Sequence, residues 1–98
     1  FWEYDINSDS WKEKSAFPLG PFKGGHAIVY NGKGYVFGGG TISCPAMGGI
    51  CDNIEYTAVH AYDPVSDSWE KVAELPEFGW MKYGDLILEG NKALFFLN

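Results

Sequence analysis

The residues of this chain best suited to chemistry are Cys44 and Cys51. They flank Pro45-Ala46-Met47-Gly48-Gly49-Ile50, whose Pro and Gly residues turn the backbone. Such a turn can bring the two Cα atoms within the roughly 4.4–6.8 Å that a disulfide needs. Oxidised, the pair staples a loop presenting Met47 and Ile50 and implies an extracytoplasmic or secreted setting; the alternative is two reduced thiols in an ordinary insertion, compatible with a cytoplasmic protein. Zinc is disfavoured, because there is no CxxC pair and Asp52 is the only other nearby ligand type. His26 and His60 have no nucleophile at motif spacing, which leaves a hydrolase triad without support. Gly38-Gly39-Gly40 lacks the GxxxxGK[ST] pattern and no helix follows it, so a phosphate loop is not indicated. No Asn heads a glycosylation sequon. The expectation is therefore no catalytic residue, no metal site and no cofactor.

The elements that would position these residues are constrained by composition. The chain has 98 residues, 17% aromatics, 13 glycines and 20% charged side chains, a balance suited to short strands and tight turns rather than disorder. Seven lysines and no arginine stand against thirteen acidic residues, for a net charge of −6. An acidic surface repels phosphate backbones, so nucleic acid is excluded as a partner. The missing arginines also remove the bidentate clamp used for carboxylates and phosphates. No apolar run approaches the ~20 residues that span a bilayer, so membrane insertion is not expected. The chain opens directly into patterned sequence at Phe1 and closes on an apolar run at Asn98, as expected of a piece of a longer protein.

An internal repeat sets the architecture. Tyr4-Asp5-Ile6-Asn7-Ser8-Asp9-Ser10-Trp11 returns 58 residues later as Tyr62-Asp63-Pro64-Val65-Ser66-Asp67-Ser68-Trp69. Held without gaps, the offset also places Pro18 on Pro76, Gly32 on Gly90 and Phe37 on Phe95. The intervening pattern is β. Ala27-Ile28-Val29-Tyr30 has strand length, Asn31-Gly32 signals a tight turn, and Gly34-Tyr35-Val36-Phe37 forms a second strand. Tyr56 to Tyr62 alternates as a half-buried strand would, with His60 in line with Ala58 and Tyr62 as a packed or surface residue. Asp63-Pro64 turns the chain, and Ser68 to Val72 makes a fourth strand. Four short strands joined by turns are the unit of a propeller blade.

These features resemble the kelch repeat family. The resemblance rests on His26 after Lys23-Gly24-Gly25, on the glycines ending the second strand, and on the Tyr62-to-Trp69 spacing repeated at Tyr4 and Trp11. It spans essentially the whole chain. It implies an all-β fold, a partial kelch-type β-propeller with one complete four-stranded antiparallel blade and two half-blades. Residues 1–23 would supply the outer strands of one blade, 24–73 the complete blade, and 74–98 the inner strands of the next. Tyr4, Trp11, His26, Gly38, Gly39, Tyr62 and Trp69 would be structural repeat residues, with the aromatics buried between blades. Departures are Gly84 in place of a second His26, Phe96-Leu97 in place of Gly38-Gly39, and Lys23 where the family often has Arg. The 58-residue offset exceeds the family's period of about 50 and points to an insertion within Thr41 to Glu55. Propellers need at least ~4 blades, so the rest would come from the parent chain or from association of copies.

In such propellers the loops between blades, with those joining second and third strands, commonly line one face. The resemblance thus implies a recognition surface of Phe22, Lys23, Met47, Trp80, Met81 and Lys82, aromatics and Met being suited to binding hot spots. The alternative places Phe22 and Trp80 under their loops as core. The expected function is a protein- or glycan-binding interaction module. The alternatives are part of a sugar-active enzyme, resembling sialic acid epimerases or galactose-oxidase-like kelch proteins, and a purely structural blade pair.

Overall fold

The computed structural model describes residues 1–20, 23–75 and 83–97. The described residues contain strands and turns, with no helix. A first antiparallel hairpin joins β1 (Trp2–Asp5) to β2 (Ser10–Glu13). A central sheet follows, built from β3 (Lys23–Tyr30), β4 (Lys33–Ser43), β6 (Ala58–Asp63) and β7 (Ser68–Glu74) in that spatial order, every pair antiparallel. A last hairpin joins β8 (Tyr83–Glu89) to β9 (Lys92–Leu97). The chain is therefore all-β, with a four-stranded sheet flanked by two two-stranded sheets that do not close into a barrel. This is the layout of a partial propeller.

Local chemistry explains the turns. Asn31 and Gly32 both have positive φ, 51° and 78°, the condition for a two-residue hairpin whose twist matches its strands. In the last hairpin Glu89 pairs with Lys92 and encloses Gly90-Asn91, whereas Tyr30 pairs with Lys33 around Asn31-Gly32. The turn therefore falls one residue later than the offset of 58 requires. The pairing of Gly32 with Gly90 is a near-coincidence of turn glycines in different turn positions.

The insertion is a hairpin. β4 runs eleven residues, longer than its neighbours. Its first part pairs with β3 on one edge and β6 on the other; from Gly40, which still pairs with Lys23 of β3, to Ser43 the second edge pairs with β5 (Asp52–Glu55) in place of β6. The extra residues thus leave the sheet as a two-stranded prong.

The core is small and lies along β4 and β6. Phe37, Ala61 and Tyr62 are its buried apolar side chains among the described residues, and His60 is buried beside them. The alternation over residues 56–62 predicts a strand covered on one face only. Instead His60, Ala61 and Tyr62 are all buried. His60 and Tyr62 share the face over which the chain leaving the first hairpin lies, as described next, and Ala61, on the opposite face, is a small side chain flanked by Tyr35 and Glu70 on the adjacent strands. Opposite Val59 and His60, β7 carries an extra residue, Val72, as a bulge.

Candidate functional site

The repeated Tyr-Asp-…-Asp-Ser-Trp segment folds the same way twice. Tyr4 pairs with Trp11 and Asp5 with Ser10; Tyr62 pairs with Trp69 and Asp63 with Ser68. In each hairpin the Tyr hydroxyl donates to the later Asp, Tyr4 to Asp9 at 2.6 Å and Tyr62 to Asp67 at 2.7 Å. Asp9 and Asp67 sit at φ 50° and 52°, left-handed backbone that Asp tolerates better than most residues. The Asp5 and Asp63 carboxylates each accept a backbone N–H two residues on, an Asx-type turn. The Ser8–Ser10 and Ser66–Ser68 hydroxyl pairs both lie at 2.6 Å. Tyr4 and Trp11 have ring centroids 4.8 Å apart and Tyr62 and Trp69 5.0 Å, both tilted.

The surroundings of the two copies differ. In the second, residues 14–20 cross the sheet as a strap. Ser15 donates its backbone N–H to Asp67 Oδ1 at 3.0 Å and its hydroxyl to the Asp67 carbonyl at 2.6 Å. Its own carbonyl accepts the Trp69 indole N–H at 2.9 Å. The Phe17 ring then rests edge-on against His60 and Trp69, with centroids 5.3 and 5.1 Å away. Pro18 follows in a turn closed by Gly20 N–H to Phe17 C=O, a usual place for Pro. Phe1 adds edge contacts to Tyr62 and Trp69. In the first copy Tyr4 and Trp11 are 42% and 66% exposed. Identical local structure therefore carries an occupied socket in one copy and an open one in the other.

Electrostatics follow the packing. The Ser15 backbone N–H, then the Tyr62 hydroxyl, hold the Asp67 carboxyl below the usual range. Burial, then the hydrogen bond to Asp67, pushes the Tyr62 hydroxyl up to about 12. Burial and the cross-strand Lys71 ammonium lower the His60 pKa, partly opposed by Glu74. Lys71 and Glu74 form an ion pair on the surface. His60 Nδ1 is buried with no hydrogen-bond partner among the described residues.

His26 stacks on its cross-strand neighbour Phe37, centroids 5.8 Å apart and planes 22° apart. Gly38 and Gly39 are buried strand residues with φ of 70° and 74°. A Cβ at Gly38 would meet only His26 Cδ2 at 3.7 Å, an ordinary contact, so the requirement there is the backbone angle rather than space.

The loop cysteines form a disulfide, Cys44–Cys51, with Cα atoms 4.2 Å apart. It closes the tip of the β4–β5 prong, and a disulfide fits an oxidising compartment. Met47 is 98% and Ile50 89% exposed there. Ile42 and Ile54 on the stem are also exposed. The antiparallel order puts Lys23, Gly40, Ala58 and Glu74 at one end of the central sheet, and the prong extends from that end. Lys23 and Met47 therefore share an end of the sheet. Phe22, Trp80, Met81 and Lys82, the other expected recognition residues, lie outside the described residues.

Among the described residues no three His, Cys, Asp or Glu side chains gather as a metal site, and no helix is long and apolar enough to cross a membrane. The residues that sequence reading missed are Ser15 and Phe17. Their equivalents at offset 58 are Ala73 and Leu75, so nothing in the repeat marks them. Asp9 and Asp67 did stand inside the repeat, and their identical spacing from Tyr was the available signal. Fold and site define a class: a repeat chain of blade-like antiparallel sheets sealed by an aromatic strap. No family model matches the chain, and no curated protein matches it in sequence.

Proposed function

We propose that this chain is part of a kelch-type propeller that acts as a secreted protein-binding module and meets its partner with the end of the sheet carrying the disulfide prong. One observation carries this reading. The prong leaves the sheet at Gly40, is closed covalently at Cys44–Cys51, and offers Met47 and Ile50 almost wholly to solvent. The staple fixes the backbone of the tip before docking, which lowers the ordering cost, and two large apolar side chains gain their whole apolar area. Met adapts to irregular surfaces, which suits a protein partner better than the hydroxyl-rich face of a sugar. Lys23, exposed at the same end, supplies a cation at the rim.

The test uses the folded protein and its Met47→Ser/Ile50→Ser double variant in parallel, as bait against the extracellular protein fraction of its source and on a glycan array. Protein binding by the parent that the double variant loses supports the proposal. Glycan binding that the double variant retains, or turnover of a free sugar, overturns it in favour of the carbohydrate readings.

A further inference from the structure

We infer that the open face of the first hairpin, formed by Trp2, Tyr4, Asp9 and Trp11, is a docking socket for an extended Ser/Thr-x-aromatic strap from a further repeat of the same kind. The argument is the internal repeat itself. At offset 58, Trp2, Tyr4, Asp9 and Trp11 correspond to His60, Tyr62, Asp67 and Trp69. The second set holds the Ser15–Phe17 strap through three hydrogen bonds and two ring contacts. The first set has the same strand register, the same Tyr-to-Asp hydrogen bond and the same left-handed Asp. Its recognition groups are therefore already in place.

A second observation is independent of those bonds. An open cleft of about 440 Å³ is lined by Trp2 and Trp11. These are the equivalents of His60 and Trp69, the two rings between which Phe17 sits. The cleft thus lies where an aromatic side chain of the incoming strap belongs. Its flanking rings are 57% and 66% exposed, a large apolar surface to leave in water.

The chemistry also selects the occupant. The strap must give a backbone N–H and a hydroxyl to Asp9, accept the Trp11 indole N–H, and place an aromatic ring two residues later. The chain's own Ser15-Ala16-Phe17 has these features but is already engaged with Asp67 and Trp69. The only equivalent that a second copy could offer is Ala73-Glu74-Leu75, which has no hydroxyl and no aromatic ring, and whose Ala73 is paired with Val59 in the sheet. Self-association is accordingly the poorer fit, and a strap from a further repeat the better one.

The probe is the acetylated, amidated peptide Lys-Ser-Ala-Phe-Pro-Leu-Gly, the sequence of residues 14–20, titrated to several millimolar into the 98-residue protein. A strap cut free of its chain binds weakly, with Kd near the millimolar range. The indole N–H resonances report the site. The expected result is a saturable shift of the Trp11 indole N–H. Ser→Ala and Phe→Ala changes in the peptide each weaken binding about tenfold or more. Asp9→Ala in the protein weakens binding about tenfold or more at the Trp11 resonance, while the Trp69 resonance keeps its position, which shows that the variant remains folded. A Trp11 shift equal for the parent and Phe→Ala peptides, a shift confined to Trp69, or no saturable Trp11 shift overturns the inference.

Discussion

The indole N–H of Trp69 donates to the carbonyl of Ser15 at 2.9 Å, across 54 residues of sequence. This bond ties the first hairpin to the central sheet, and it joins the Phe17 contact and the two Ser15–Asp67 bonds in one seam. Its repeat counterpart Trp11 has the same local structure but makes no such long-range contact among the described residues. The pair gives an internal control for the energetics of the seam.

Trp69→Phe keeps an aromatic ring and removes only the indole donor, leaving the Ser15 carbonyl without its partner. The expected loss is about 1 kcal/mol of stability, a fall of roughly 4–8 °C in Tm for a domain of this size. Trp11→Phe should leave Tm nearly unchanged. Thermal denaturation of both variants measures the difference, and equal losses would show that the strap contributes nothing at Trp69.

The backbone at Gly38 predicts a penalty without a clash. Gly38→Ala places a side-chain residue at φ 70° and is expected to cost about 1–2 kcal/mol. Gly34 lies in the same strand, lacks positive φ and has open space around it. Gly34→Ala should therefore change stability by no more than about 0.5 kcal/mol in either direction. Urea midpoints for the two variants give the comparison.

His60 makes stability fall in mild acid. Its folded pKa lies below the ordinary 6.5 because it is buried beside Lys71, so the unfolded chain binds a proton that the folded chain resists. Stability is thus full above about pH 6.5 and declines as pH drops below it, levelling once the folded His60 is also protonated. His60→Leu should flatten the profile between pH 7 and pH 5. A profile unchanged by the substitution would assign the acid sensitivity elsewhere.

Tyr62 sets an alkaline limit with the opposite sign. Its hydroxyl is held up to about 12, against 10.0 for a free Tyr, by burial and by donation to Asp67. Its contribution is fully present below pH 10 and is lost as pH rises from 10 through 12. Tyr62→Phe cannot ionise, so its stability should decline less steeply across that window. Fluorescence-monitored unfolding at pH 9, 10, 11 and 12 reads the slopes.

Breaking the disulfide should loosen the prong and spare the sheet. The chain-entropy estimate for so short a loop is about 2.5 kcal/mol, so Cys44→Ser/Cys51→Ser should raise exchange of the hydrogen-bonded amides in the β4–β5 ladder by on the order of 10- to 100-fold. Amides in the β3–β4 and β4–β6 ladders should keep their protection, because those pairings lie below the branch at Gly40. Exchange followed by mass spectrometry, with and without reductant, distinguishes the two regions.

The sequence by itself determined the local structure. Asn31-Gly32 dictates its turn through φ > 0, Gly38 and Gly39 permit the positive φ within β4, and the two Tyr-to-Trp segments carry every group for their own short-range bonds. Those bonds close within about five residues, so residue type and spacing suffice to predict them. The prong was legible as excess length between Thr41 and Glu55, although not as an extension of β4. Tertiary structure alone decided which Tyr–Trp pair is sealed and which stays open. That choice depends on where residues 15–17 travel, more than 50 positions from Asp67 and Trp69, and on side chains that the repeat does not share. It likewise decided which side chains of β6 are buried, because the strap covers the face that carries His60 while Ala61, small and flanked by Tyr35 and Glu70, is buried on the other. Local bonds follow from neighbouring residues, whereas burial follows from whatever else the chain brings to the same place.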